Sequence, residues 1–188
     1  MPLQALLFFP GRFYFPPDPF GAFRVVGGES SEDAMEYSGK YDASEYWKPS
    51  LTADVVLIAV TEEGRRDVLL IRRKNPPFQN CWAFPGGFLD QGETTRQCAV
   101  RELKEEAGVI LSEDRLRLLL VADDPRRDPR SRVISIVYMA QGAKSDLSPR
   151  AGDDASELKW FPLDHPPDLA FDHARILEKA KEQFGDVL

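Results

Sequence analysis

The stretch GGFLDQGETTRQCAVRELKEEAGV, from Gly86 to Val109, constrains the chain most, because both ends of a helix are written into it. Thr94 is placed to cap the helix start, with Gln97 three positions on as its capping-box partner, and Gly108 stands where a helix commonly ends in a left-handed residue. These signals predict a helix over about Thr95 to Ala107. At about 3.6 residues per turn, Ala99, Val100, Leu103 and Ala107 share a flank suited to a core. Glu102, Glu105 and Glu106 share another.

Those three glutamates stand at i, i+3 and i+4, where each like-charge neighbour costs an isolated helix roughly 0.2–0.5 kcal/mol. Solvation, Arg101 and Lys104 offer one relief. A divalent cation that prefers hard oxygen donors offers another, since it would use such a cluster together with a carbonyl from the Gly86-Gly87 turn.

The residues here resemble the signature of the Nudix hydrolases. Its glycine, glutamate and terminal Arg-Glu-aliphatic-any-Glu-Glu-any-Gly-aliphatic run are matched by Gly87, Glu93, Arg101, Glu102, Leu103, Glu105, Glu106, Gly108 and Val109. At about 6% usage per residue type, the seven fixed identities recur by chance at roughly 3 × 10⁻⁹ per window. Chance is therefore excluded. The resemblance implies hydrolysis of a nucleoside diphosphate linked to another group, with Mg²⁺ or Mn²⁺ as cofactor. By the same resemblance Glu102, Glu105 and Glu106 with the Gly86 carbonyl are the metal ligands. Glu102 and Glu105 are also expected in catalysis, Glu105 by orienting the water. Glu93 and Arg101 pair behind them to orient the ligands. Family members often add a loop carboxylate, for which Asp153, Asp154 and Glu157 are candidates and Asp154 the choice.

Composition bounds the rest. A chain of 188 residues with 43% hydrophobic content supports one good core. Its net charge of −7 disfavours nucleic acid and anionic membranes as main partners. A small nucleotide received by a metal and local arginines is compatible with it, as is a homodimer. Two cysteines without metal or disulfide spacing, Cys81 and Cys98, fit a reducing cytoplasm. The apolar start MPLQALLFF is interrupted by Pro10 and Arg12, far short of the about 18 apolar residues of a membrane span.

Along the chain, residues 1–50 form a Pro/aromatic-rich extension expected to pack as an arm or short hairpin, and residues 51–188 form the hydrolase domain. DVVLIAV (Asp54 to Val60) and DVLLIR (Asp67 to Arg72) read as a hairpin around Gly64. Leu116 to Ala122, Val133 to Ala140 and Glu157 to Phe161 read as further strands, and Gln141 to Ala155 as a polar loop. Phe171 to Phe184 reads as a helix burying Ile176, Leu177, Ala180 and Phe184. Layer logic makes this an α/β sandwich. The resemblance specifies a Nudix-type α/β/α sandwich with a mixed β-sheet.

Substrate choice lies outside the signature. Asp123 to Arg132, DDPRRDPRSR, sets four arginines among three aspartates. Pro125 stands 16 residues after Val109, and this spacing, the R-D-P-R run and LAFDH resemble the ADP-ribose pyrophosphatase branch. The implied reaction is ADP-ribose to AMP and ribose 5-phosphate, with Arg127 and Arg130 expected to contact substrate; Arg72 and Arg73, beside the Pro-Pro loop, are placed to receive a phosphate, with Arg72 the choice. Another nucleotide substrate (NADH, a diadenosine polyphosphate or an oxidised nucleoside triphosphate) and a non-catalytic ADP-ribose sensor are the alternatives. His165 and His173 are expected to be structural or exposed.

Overall fold

The structure is a computed structural model that describes residues 23–24, 36–37, 42–147, 149–150 and 155–185. The expected loop acids Asp153 and Asp154, the side chain of Phe184 and most of the N-terminal extension lie outside the described residues. The chain divides into two compact units, Met1–Trp47 and Lys48–Leu188. In the first, β1 (Phe23–Arg24) pairs antiparallel with β2 (Glu36–Tyr37). Asp42 caps a following 3-10 turn, accepting from the Ser44 amide at 2.8 Å.

The second unit carries β3 (Ser50–Val60), β4 (Arg66–Arg73), β5 (Trp82–Ala83), β6 (Gly86–Phe88), α1 (Thr95–Ala107), β7 (Arg117–Ala122), β8 (Val133–Ala143), β9 (Ala155–Pro162) and α2 (His173–Gly185). The sheet has seven strands in the order β5-β4-β3-β8-β7, with β6 paired to β3 and β9 to β4. Only the β3–β8 ladder is parallel, so the sheet is mixed.

Side chains alternate across a strand, and both faces of this sheet are covered. Val55, Leu57 and Leu69 pack with Cys98, Ala99, Leu103 and Ala107 of α1. Val56, Ile58, Val68 and Leu70 pack with Ile176, Leu177 and Ala180 of α2. Burial on both faces explains why the central strands read as uninterrupted apolar runs. The result is the expected α/β/α sandwich.

Several boundaries differ from the sequence reading, the start of β3 at Ser50 rather than Asp54 among them, and two have a plain cause. Strand β8 continues to Ala143 because its backbone keeps pairing with Ile58, Ala59 and Val60 through Gln141, Gly142 and Ala143, a ladder that needs no apolar side chains. Helix α2 begins at His173, because Phe171 sits at a φ of 53°, which an α-helix does not admit. Among the described residues no helix is long and apolar enough to cross a membrane.

Candidate active site

The site grows from the ends of α1. The Thr94 side chain accepts from the Gln97 amide at 3.2 Å, and Gln97 Oε1 accepts from the Thr94 amide at 2.8 Å, closing the expected capping box. Gly108 takes φ 64° and returns its N–H to Lys104 O at 2.9 Å. With its start fixed and its apolar flank buried, α1 presents its acidic face towards β6.

Arg101 organises that face. Its guanidinium grips Glu93 with two bonds, Nε to Oε1 at 2.9 Å and Nη2 to Oε2 at 3.0 Å. Nη1 donates to Glu102 Oε1 at 2.8 Å and Glu105 Oε2 at 3.2 Å, and Nη2 reaches Phe88 O at 3.0 Å. The bonds from Arg101 hold the Glu93 carboxyl down to about 2. Burial, by contrast, pushes Glu102 above the ordinary carboxylate range despite the same arginine. Glu106 accepts from the Gly86 amide at 2.9 Å.

The Gly86-Gly87 turn is needed for close approach. Strand β6 sets Gly86 opposite Asp54 and Gly87 opposite Ala53. A Cβ at Gly86 would collide with Asp54 Oδ1 and Ala53 O, and one at Gly87 would fall 2.5 Å from Glu102 Cδ. Only glycine lets the strand lie against these carboxylates.

A cleft of about 490 Å³ opens there. By charge its lining falls into an acidic wall, Asp54, Asp90, Glu102 and Glu106 with Arg101 among them, and an arginine wall, Arg73, Lys74, Arg127 and Arg130 with Asp128 among them. Asp54, 7% exposed, accepts from the Ser135 hydroxyl. Arg127 is held in a two-bond fork by Asp172, at 3.0 and 2.8 Å, and Arg130 by buried Asp128 at 3.0 and 2.7 Å. Arg73 donates to the Pro77 and Asn75 carbonyls at 3.0 and 3.4 Å. His173 also lines the cleft and is buried, its Nδ1 accepting from the Phe84 amide at 3.1 Å and its ring stacked on Phe84 at 4.7 Å. Burial lowers its proton affinity, consistent with a structural imidazole. His165 is exposed.

Of the residues singled out from sequence, Gly86, Arg101, Glu102, Glu106, Arg127 and Arg130 meet in this cleft. Glu93 and Glu105 line a separate groove with Gln97, Val100 and Lys104 of α1, and 59% of the Glu105 side chain is exposed. Arg72 does not line the cleft. Strand alternation sends it to Asn80 O at 3.1 Å and Glu157 at 3.4 Å, and brings Arg73 inward instead. Sequence reasoning missed Asp54, Asp128 and Phe171 as cleft residues. Asp54 did leave a signal, since a carboxylate opening an apolar run is either paired or used.

The donor set suits a hard divalent ion. Glu102 and Glu106 on the wall and the peptide oxygens of the Gly86-Gly87 turn are all oxygen ligands of the kind Mg²⁺ and Mn²⁺ prefer. Among the described residues no three His, Cys, Asp or Glu side chains converge on one point. Arg101 draws Glu102 and Glu105 to itself, and the Gly86 amide draws Glu106.

Residues 51–180 match the NUDIX domain family. The chain is 43% identical over 134 residues to the ADP-ribose pyrophosphatase of Methanocaldococcus jannaschii, covering 71% of this chain and 73% of that one. It is 33% identical over 156 residues to the ADPR responsive transcriptional repressor NtrR of Acinetobacter baylyi, covering 80% of this chain but only 60% of the repressor. Among solved structures, a MutT/nudix family protein from Enterococcus faecalis superposes with TM-score 0.71 at 36% identity, over 78% of this chain and 66% of that one. The NUDIX domain of Shewanella oneidensis NrtR, complexed with ADP ribose, superposes with TM-score 0.66 at 31% identity, over 77% of this chain and 94% of that domain. With the complete signature on α1 and its glycine turn, these matches establish that the chain belongs to the Nudix family, as a Nudix pyrophosphohydrolase.

Proposed function

We propose that the chain hydrolyses ADP-ribose to AMP and ribose 5-phosphate with Mg²⁺ or Mn²⁺. The observation that carries this reading is the pairing, in one cleft, of an acidic wall with an arginine wall. Its volume, about 490 Å³, falls in the range of small-molecule sites. A diphosphate needs both walls, one to hold cations against its charge and the other to grip its free oxygens.

Glu102, Glu106 and the Gly86 carbonyl would hold the ion, which when bound screens the phosphates and acidifies a water, and Glu105, outside the cleft on Arg101, would join them by turning from that arginine. Arg101 orients Glu102 and Glu105 through the bonds described above. Arg73 and Arg130 receive phosphate oxygens, Arg130 keeping 41% of its side chain exposed beside Asp128, while Arg127, forked by Asp172 and only 4% exposed, supports the wall. Glu105 would orient the attacking water, and Asp154 is the candidate for an assisting carboxylate. Water oxygen bonds to one phosphorus as the bridging P–O bond breaks, and the proton leaves with the other phosphate. The M. jannaschii pyrophosphatase, alike over most of both chains, supports this substrate.

The repressor relative and the ADP ribose complex favour one other reading, a sensor that binds ADP-ribose without turnover. Incubation with ADP-ribose, with and without a chelator, separates the two when products are resolved by chromatography. We expect AMP and ribose 5-phosphate only with added metal. Tight binding with no product would replace the enzyme reading with the sensor.

A further inference from the structure

Phe171 is a bulky residue held at φ 53°, a left-handed conformation rare for such side chains, and its ring touches Phe78, itself at φ 58°, with centroids 4.7 Å apart. Strained backbone of this kind persists only where its surroundings enforce it, and it concentrates at ligand sites. What the ring does in return is visible around it. It packs against the small apolar cluster of Ile71, Ala83 and Ala170. The His173 ring lies 5.6 Å from its centroid, and two cations face it: the Arg73 guanidinium 4.9 Å from the centroid and that of Arg130 5.9 Å from it. Arg130 also sits 5.2 Å from the Phe88 ring.

The two arginines differ in their anchoring. Arg130 is tied to Asp128, whereas Arg73 has only carbonyl partners and no carboxylate at ion-pair distance among the described residues. Burial and the neighbouring charge of Arg130 lower the proton affinity of Arg73, as expected of two like charges held together. The nearby anions Glu106, Asp128 and Asp54 attract it. An aromatic face attracts guanidinium without neutralising it.

We propose that Phe171 is a positioning residue, whose ring holds the guanidiniums of Arg73 and Arg130 side by side as a receptor for a diphosphate and keeps Arg73 from collapsing onto the acidic wall. The receptor recognises the diphosphate itself, whatever is attached to it. The inference rests on the pyrophosphohydrolase reading of the cleft but not on ADP-ribose as substrate.

The test compares wild type, Phe171→Leu, Phe171→Tyr, Arg73→Gln and the Phe171→Leu/Arg73→Gln double variant at saturating Mg²⁺. Two quantities are read: steady-state kinetics on ADP-ribose, and calorimetric binding of methylenediphosphonate, a diphosphate mimic with neither base nor sugar. Phe171→Leu should raise KM and weaken mimic binding by about tenfold each, with the loss in KM rather than kcat. Phe171→Tyr should restore both, and the double variant should be no worse than Arg73→Gln alone. Mimic binding unchanged in Phe171→Leu, with only the nucleotide KM raised, would make the ring a base-stacking platform and overturn the proposal. Multiplying effects in the double variant, or a wild type that does not bind the mimic, would overturn it too. If wild type leaves ADP-ribose intact yet the mimic series behaves as expected, the positioning role stands and the substrate reading falls.

Discussion

Arg101 divides the acidic face into groups with opposite electrostatics. Glu93 spends both oxygens on it, whereas Glu102 is pushed up by burial. The pairing of Glu93 depresses its folded-state pKa from 4.5 to about 2. A depressed carboxylate stabilises the fold above its unfolded pKa and loses that contribution as pH falls through the folded one. Glu93→Gln should therefore lower the melting temperature at pH 7 and flatten its decline between pH 4.5 and about 2. An unchanged acid limb would show that the pair carries no stability. Arg101→Ala should cost activity roughly 10–100-fold, the scale for residues that orient metal ligands. Glu102→Gln and Glu106→Gln should cost more than that in turnover while leaving the fold intact or slightly stabilised, since each relieves like-charge crowding. Near-normal rates in either at saturating metal would sink the proposed ion site. For the loop acid, Asp154→Asn should slow turnover substantially and Asp153→Asn less. If Asp154→Asn matches wild type and Glu157→Gln is dead, the role belongs to Glu157. The pairing of Glu93 with Arg101 was legible because the resemblance covers both residues. The choice between Arg72 and Arg73 was not, because which face of β4 looks into the cleft depends on β9 and the Pro-Pro loop.

Helix α1 and strand β6 work as one element, and their glycines serve different ends. Gly108 sits at φ 64°, so Gly108→Ala should destabilise the fold by about 1–2 kcal/mol through left-handed strain. That loss is readable by chemical denaturation and should leave kcat largely intact in the folded protein. Gly87 faces Glu102, so Gly87→Ala should do the reverse, displacing the carboxylate and reducing turnover with a smaller change in stability. Equal damage by both to stability and rate would deny this division of labour. The helix limits could be read in advance because caps are local, a few residues satisfying one another's backbone groups. The pairing of β6 with the start of β3, which brings Asp54 beneath the glycine turn, could not, because it joins segments far apart in sequence. Nor did the sequence announce Phe171. LAFDH reads as a helix entrance, and only the tertiary setting forces its phenylalanine into the left-handed region.

At the scale of the molecule, the sheet is the partition that makes the cleft. Its two faces are sealed by α1 and α2, and β3, β4, α1 and the segment between β7 and β8 all contribute charged residues to the cleft. The layers followed from apolar runs of strand length set between helical periodicities. The parallel ladder of β3 with β8 did not, since nothing in either run names its partner. Net charge of −7 gives no long-range attraction for a polyanion, so substrate capture depends on the local arginines. On the proposed function, the acidic and arginine walls serve the diphosphate of ADP-ribose. The most direct measurement is kcat/KM for ADP-ribose, NADH, a diadenosine polyphosphate and oxidised dGTP, taken side by side at saturating Mg²⁺. ADP-ribose should rank first and yield AMP and ribose 5-phosphate; ADP-ribose ranking last would rule it out as the substrate for which the cleft is built.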